Sequence, residues 1–182
     1  MPTWYAVLVG TLALQRRREL ALSKRLEAGR PGRRAAARSF PLMVAAHIAL
    51  FLLPPLEVRL AHRRSRFAGL WIGLLAAATG LRWWSIRSLG DQWNVRAAVP
   101  QDLQPVTQGP YRWIRHPNYL AVVLEFAALP MAGGAWISAL GLSAFDGAVL
   151  VDRIRAEESL LAEVPGYQQA FAGKARFIPG IF

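Results

Sequence analysis

The chain has 182 residues, more than half of them apolar and seven of them tryptophan, and its mean hydropathy is positive, which indicates a membrane protein of one domain. Cysteine is absent and the three histidines are scattered, so disulfides, thiolate catalysis and cysteine-based zinc sites are excluded and we predict no metal site. The net charge of +11 comes from arginines that lie between apolar runs. We therefore expect these arginines to bind membrane lipids with anionic headgroups and not nucleic acid.

Three apolar runs in the first half predict membrane helices. A spanning helix needs about 20 apolar residues. Residues 4–14 are short, so they form either a thin span or a helix that is inserted partway. Residues 40–60 are long enough, although Pro54 and Pro55 should kink or end their helix. Residues 67–86 meet the requirement well.

The basic segments predict the orientation in the membrane. Residues 15–39 carry nine Lys or Arg against two Glu, which is typical of a cytoplasmic loop. Two further spans then place residues 88–118 on the cytoplasmic side. One segment disagrees, because the four arginines of residues 59–66 fall outside in this orientation.

The longest apolar run predicts a helical hairpin. Residues 119–151 would measure about 50 Å as one helix, well beyond the hydrocarbon core of about 30 Å. Pro130 and the glycines at 133–134 provide a break near the middle. A hairpin returns the chain to the side from which it entered. It should therefore bring Arg115 and His116 close to the acidic pair at 157–158.

A further helix is predicted after the hairpin, over residues 149–162. The predicted fold is therefore all-α and integral to the membrane, with about five transmembrane helices, including the C-terminal hairpin, and a cytosolic C-terminal helix. We expect a single domain, 1–182. Within it, residues 1–87 supply the N-terminal transmembrane helices and basic loops, and residues 88–182 supply the cofactor-binding catalytic part.

Candidate functional residues begin at the His116–Pro117 step. Proline restricts the residue before it, so His116 should start a helix whose exposed backbone N–H groups can receive a carboxylate. A polar helix cap near the headgroups explains the same step. Tyr111 and Tyr119 flank this turn. They are either interfacial aromatics or the wall for an adenine ring or a sulfonium.

Acidic residues supply the second set of candidates. Glu157 and Glu158 point about 100° apart on a helix, so they cannot share one role. One can pair with Arg153, and the other can bind a ribose hydroxyl or a cationic amine. Glu125 lies within the apolar hairpin, where an acid is functional by default. Pairing with Arg82 or Arg87 is an equally good explanation of it.

At these residues the sequence resembles the isoprenylcysteine carboxyl methyltransferase family of integral-membrane, S-adenosylmethionine-dependent enzymes. The resemblance covers residues 88–182 and rests on the combination and order of its motifs. These are VTQGPY at 106–111, RHPNY at 115–119, RIRAEE at 153–158, Tyr167, and RFIP at 176–179.

The resemblance implies a cofactor pocket that opens to the cytosol and a lateral tunnel to the lipid phase. It implies that S-adenosylmethionine is bound by Leu103, Gln104, Pro105, Val106, Tyr111, His116, Pro117, Asn118, Tyr119 and Glu157. Substrate binding is implied for Arg153 and Trp93, and catalysis for Arg153 and His116. Phe171 departs from the family, since many members carry a tyrosine there.

The N-terminal half is similar to one bacterial branch, small enzymes associated with type III polyketide synthases that methylate alkylpyrones or alkylresorcinols. The matching residues are LEAG at 26–29, FPLMVAAH at 40–47, and Glu57. This resemblance implies a lipophilic small-molecule substrate and a polyketide synthase as a partner. It also implies a multi-pass protein of the bacterial cytoplasmic membrane with its active site facing the cytosol.

The predicted function is methyl transfer from S-adenosylmethionine to an oxygen of a lipid-like acceptor, either an alkylpyrone or alkylresorcinol hydroxyl or a prenylcysteine-like carboxylate. A phenolic acceptor needs a base, for which His116 and Glu158 are both candidates. Two other functions remain open at this point. One is an NADPH-dependent reductase of the related sterol-reductase superfamily, and the other is a non-enzymatic membrane adaptor.

Overall fold

The computed structural model describes residues 1–29, 32–34, 39–62, 64–100 and 102–178. The all-α prediction is confirmed, since helices make up most of this structure. The α-helices of the described residues are α1 (Thr3–Gly29), α2 (Ser39–Ala61), α3 (Ala68–Leu89), α4 (Pro117–Gly133), α5 (Trp136–Leu161) and the short α6 (Tyr167–Ala170). Short 3₁₀ turns lie at Gly90–Gln92 and Gly109–Arg112.

The first helix is much longer than the apolar run that begins it. We predicted a cytoplasmic loop over residues 15–39, which is wrong for residues 15–29 because α1 continues to Gly29. Arginine, leucine, glutamate and lysine are all good helix formers, and α1 buries Glu19 and Ser23 on its inner side. The basic side chains of residues 16–25 therefore do not end α1. Residues 30–31 and 35–38 of that segment, like Arg63 of the second basic segment, lie outside the described residues.

The second helix runs through both of its prolines. Pro54 and Pro55 were expected to kink or end it, but α2 extends to Ala61. Prolines are tolerated within helices in apolar surroundings when neighbouring elements support the backbone, and Pro54 is buried. Among the described residues, α2 is the one helix that is long and apolar enough to cross a membrane by length and composition. The number of five spans therefore stays a prediction.

The predicted hairpin is formed by α4 and α5. Its break lies at the glycines, since α4 ends at Gly133 and Gly134 adopts a left-handed conformation with φ 90°. Pro130 lies inside α4, where its carbonyl accepts the N–H of Ala135 at 2.9 Å. We also predicted a separate cytosolic helix over residues 149–162. The helix is confirmed as far as Leu161, but it is not separate from the hairpin, because these residues form the end of α5.

The core lies between α4 and the helices around it. α4 packs against α3 and α5, and α2 packs against both members of the hairpin. Tyr5 of α1 reaches into this core and its hydroxyl donates to the Leu129 carbonyl at 3.0 Å. Leu50, Phe126 and Leu129 are almost fully buried there. The hairpin is thus the scaffold against which the other helices pack.

A two-stranded antiparallel sheet is the one β element of the described residues. It pairs β1 (Gly32–Arg34) with β2 (Ala98–Pro100), with Gly32 opposite Pro100. A Cβ at Gly32 would lie 2.7 Å from the Val99 carbonyl carbon, so the strands approach too closely for a side chain there. The sequence did not predict this pairing. The pairing holds β2, which lies just before Leu103, against β1, which follows α1.

Candidate active site

A cavity of about 360 Å³ lies between the hairpin and the N-terminal helices. This volume is within the range of small-molecule sites. All but one of the residues to which the sequence assigned a cofactor or substrate role line it. They are Trp93, Leu103, Gln104, Pro105, Val106, Tyr111, His116, Asn118, Tyr119, Arg153 and Glu157. The exception is Pro117, which is buried at the start of α4.

The Tyr119 hydroxyl joins Arg153 and Glu157, which lie four residues apart on α5. Arg153 Nε donates to the Tyr119 hydroxyl at 2.8 Å, and that hydroxyl donates to Glu157. Arg153 and Glu157 come from α5, whereas Tyr119 comes from α4. The hairpin therefore brings together residues 34 positions apart in the sequence, and it orients the Glu157 carboxylate in the cavity wall.

The neighbouring Glu158 has a different environment. Its carboxylate accepts from His116 Nε2 at 3.0 Å and from Arg176 Nη2 at 2.7 Å, and it forms an ion pair with Arg115, whose Nη1 lies 3.2 Å away. Burial by itself would raise the pKa of Glu158, but the bonds from His116 and Arg176 and the charge of Arg115 lower it to about 2. The predicted meeting of residues 115–116 with the acidic pair is thus confirmed.

The same contacts bear on the two residues that we considered as bases. His116 and Glu158 are hydrogen-bonded to each other, and Glu158 is also held by two arginines. Glu158 is absent from the cavity wall, whereas His116 lines it. Glu158 therefore orients His116 and joins the start of α4 to the end of α5. It has no access to an acceptor in the cavity.

The backbone N–H groups of the turn before α4 were expected to receive a ligand carboxylate. Two of the N–H groups at this turn are occupied by the chain itself, because the Arg115 N–H donates to the Ala175 carbonyl at 2.9 Å and the His116 N–H to the Arg176 carbonyl at 3.0 Å. Ile114 and Ala175 form a parallel bridge beside them. The carbonyl groups of residues 175–176 thus satisfy these two N–H donors. In the 176–179 motif, Pro179 lies outside the described residues.

Three aromatic residues, Tyr111, Tyr167 and Phe171, line the cavity near Glu157. Burial raises the pKa of Tyr111 and of Tyr167, so both phenols remain protonated at neutral pH. The Tyr167 ring stacks on Phe171 at a centroid distance of 4.6 Å. Phe171 lines the cavity where many family members have tyrosine, so this position supplies a ring face and no hydroxyl.

Two buried donors in the cavity wall have no partner within the described part of the chain. They are Trp93 Nε1 and Arg153 Nη1. Burying an unpaired hydrogen-bond donor costs free energy, and the cost is larger for a charged group. A ligand oxygen can accept from such donors. The contacts thus agree with the substrate role that the resemblance assigned to both residues.

The N-terminal helices contribute polar residues that the sequence did not assign to the site. Arg82 donates to Glu125 through Nε at 3.2 Å and Nη2 at 2.8 Å, and Arg16 also pairs with Glu125. Arg82 Nη1 further donates to Asn118 Oδ1 at 3.2 Å. Of the two explanations for Glu125, pairing with Arg82 is the one observed. Arg16, Arg82 and His47 line the cavity, and their position in apolar helices was the available signal.

Comparison with known proteins agrees with this site. The family model for isoprenylcysteine carboxyl methyltransferases matches residues 71–163. The chain is also 32% identical over 163 residues to Uncharacterized protein YpbQ of Bacillus subtilis (strain 168), a match that covers 86% of this chain and 96% of the relative. The chain belongs to the isoprenylcysteine carboxyl methyltransferase family. Members of this family are membrane-integral methyltransferases that use S-adenosylmethionine, so membership supports methyl transfer as the activity.

Proposed function

We propose that the protein is an O-methyltransferase that transfers the methyl group of S-adenosylmethionine to an oxygen of a lipophilic acceptor at the membrane. One observation carries the proposal. A single cavity is lined by the Glu157 carboxylate, by the unpartnered donors of Trp93 and Arg153, and by apolar side chains of α1 and α2. Such a site suits a polar cofactor and an acceptor that has a polar head and an apolar tail.

Glu157 and three aromatic rings near it support binding of the cofactor. Glu157 is held by the Tyr119 hydroxyl and has a second carboxylate oxygen with which to accept from a ribose hydroxyl or an amine. The rings of Tyr111, Tyr167 and Phe171 offer faces for an adenine or a sulfonium. Bound there, the cofactor supplies an electrophilic methyl group.

The residues of the chain would act mainly by positioning and by excluding water. An in-line displacement requires the acceptor oxygen and the methyl carbon to be held in line and close together. Arg153 is fixed by Tyr119 and by the Val95 carbonyl, which leaves Nη1 to orient the acceptor oxygen. The apolar wall formed by Leu20, Met43 and Ile48 would hold the tail of the acceptor.

The test is a binding titration with matched variants in detergent or nanodiscs. Glu157→Gln should weaken S-adenosylmethionine binding by about 10- to 100-fold, since a hydrogen bond to a charged group is worth about 1.5–3 kcal/mol. Glu163→Gln removes an exposed carboxylate that pairs with Arg33, and it should change the dissociation constant less than twofold. Wild-type protein that binds NADPH and not S-adenosylmethionine would overturn the proposal.

The acceptor can be identified with the same preparations. Membranes that contain the protein are incubated with methyl-labelled cofactor, and the labelled molecule is extracted and identified by mass spectrometry. Label in a lipid-soluble small molecule supports the proposal. Label at a protein C-terminus would instead show that the acceptor is a prenylcysteine-like carboxylate of a protein.

A further inference from the structure

A second, more open cavity, the outer cavity, adjoins the cavity of the proposed active site. It is lined by Arg115, Glu158, Ala162 and residues of the segment 167–175. Arg115, Tyr167 and Phe171 belong to the walls of both cavities. Neither the sequence motifs nor the family match assigned a role to the outer cavity. A molecule bound in the first cavity can therefore extend past these three side chains into the second.

Two basic side chains in the wall of the outer cavity have donors that the chain does not use. Arg115 Nε is buried and has no hydrogen-bond partner within the described part of the chain, whereas Arg115 Nη1 forms the ion pair with Glu158. Lys174 Nζ donates to the Tyr111 carbonyl at 3.0 Å. A lysine ammonium has three donors, so this bond leaves others for a ligand. The outer cavity therefore offers two cationic groups to a molecule that enters it.

These two cations lie next to the residues that are proposed to hold the cofactor. Arg115 itself lines the first cavity. Lys174 Nζ lies 4.6 Å from the centre of the Phe171 ring, in addition to its bond with Tyr111. Both Tyr111 and Phe171 line the first cavity. A ligand group between the two cations would thus be in contact with the wall of the cofactor site.

The charges in the outer cavity favour an anionic group. Of the described residues that line it, Glu158 is the one acid, against the two cations. The Glu158 carboxylate already accepts from His116 and Arg176 and pairs with Arg115. Its negative charge is therefore offset by groups of the chain, and the charge of Lys174 is left to attract a ligand.

S-adenosylmethionine has one anionic group, the carboxylate of its amino-acid end. Glu157 can accept from the hydroxyls or the amine of the cofactor, but it would repel this carboxylate. Most arginines of the first cavity are committed elsewhere, since Arg16 and Arg82 are held by acidic partners and the proposed function gives Arg153 to the acceptor. Arg17 is an exposed residue of α1. The cations beside the aromatic rings are those of the outer cavity.

We propose that the outer cavity binds the amino-acid carboxylate of S-adenosylmethionine through Arg115 Nε and Lys174 Nζ. This rests on the proposed function and deepens it, because it assigns the anionic end of the cofactor to residues that had no role. The hydroxyls or the amine of the cofactor would stay with Glu157 in the first cavity. Holding the cofactor at two separate points limits its rotation, and such positioning is what methyl transfer requires.

The test compares two ligands that differ by this one group. They are S-adenosylmethionine and its decarboxylated analogue, which keeps the sulfonium and the amine. Dissociation constants are measured by calorimetry on the full chain in detergent. Lys174→Met removes the charge, Lys174→Arg keeps it, and Arg115→Gln removes the guanidinium while His116 and Arg176 still hold Glu158. Lys24→Met is the control, because Lys24 is an exposed lysine of α1.

The wild type should bind S-adenosylmethionine about tenfold or more tightly than the decarboxylated analogue, because hydrogen bonds between charged partners are among the stronger ones. Lys174→Met and Arg115→Gln should each weaken binding of S-adenosylmethionine about tenfold and should not weaken binding of the analogue. Lys174→Arg should keep the preference for the carboxylate. Lys24→Met should change both dissociation constants less than twofold.

Three results would overturn the proposal. Equal losses for both ligands in Lys174→Met would show that Lys174 acts only through its bond to the Tyr111 carbonyl. A wild-type protein that binds both ligands equally would have no carboxylate site. A preference that survives both Lys174→Met and Arg115→Gln would place the carboxylate elsewhere. In each case S-adenosylmethionine still binds, so the proposed function stands.

Failure of the proposed function gives a different result. A wild-type protein that binds neither S-adenosylmethionine nor its decarboxylated analogue overturns the proposed function, and the carboxylate site falls with it.

Discussion

Stability at low pH should depend on Glu158 more than on an ordinary surface acid. Its carboxylate is only 16% exposed and receives bonds from His116 and Arg176 and the charge of Arg115. The pKa is lowered from 4.5 to about 2, which corresponds to about 3 kcal/mol because one pKa unit is worth about 1.4 kcal/mol. Since the folded-state pKa is depressed, this contribution is fully present above pH 4.5. It is lost as the pH falls toward 2.

The perturbation is Glu158→Gln, and the assay is thermal unfolding followed by tryptophan fluorescence between pH 2 and pH 7 in one detergent. At neutral pH the variant should unfold about 6–12 °C below the wild type, since 1 kcal/mol shifts the midpoint by about 2–4 °C in chains of this size. The difference should disappear as the pH approaches 2. Asp152→Asn is the control, because it removes an exposed acid of the same helix. A gap between wild type and Glu158→Gln that is constant over the whole pH range would refute the reasoning.

Three further results are expected. Gly133→Ala should destabilise the fold by about 1–3 kcal/mol, because the new Cβ would lie 2.6 Å from a ring carbon of Tyr5. Gly141→Ala is the control: its new Cβ would have no atom within 4 Å, so this variant should be neutral or slightly stabilising in the same unfolding assay. Glu57→Gln should cost about 1–2 kcal/mol, since that carboxylate accepts two backbone N–H groups and a hydroxyl at the start of α5, and cofactor affinity measured by titration should not change. Glu125→Gln should cost about 3 kcal/mol, because it leaves Glu19 as the one carboxylate paired with the two buried guanidinium groups of Arg16 and Arg82 in the described structure, and an unfolding midpoint equal to wild type would contradict this.

The active-site half of the molecule could be predicted because its constraints are local. Residues 119–151 are too long for a single membrane helix, and the two glycines at 133–134 are a natural place for a helix to end. The length and the glycines together therefore predict the hairpin. Once the hairpin existed, its two ends had to meet. The bond from His116 to Glu158 is the observed consequence.

The N-terminal half was harder to read because its constraints are tertiary. Residues 15–29 are rich in basic side chains, as loops often are, but Arg16 pairs with Glu125 of α4 and Glu19 with Arg82 of α3, and the helix continues. The pairing of β1 with β2 joins strands more than 60 residues apart, and three residues carry too little pattern to predict it. The place of His47 in the cavity wall depends on its contact with Met43 and on the packing of α2 against α4. Neither can be read from residue order.

The parallel contact of Ile114 and Arg115 with Ala175 has a consequence during protein synthesis. The membrane helices leave the ribosome first, and each can insert before the next is made. The turn before α4, however, keeps two open backbone donors until Ala175 and Arg176 have been translated and released. A nascent chain stalled at residue 170 would contain the complete hairpin, including Arg153 and Glu157, and still lack the partners of the turn before α4. The backbone bonds of the turn before α4 therefore form only after the rest of the hairpin has been made.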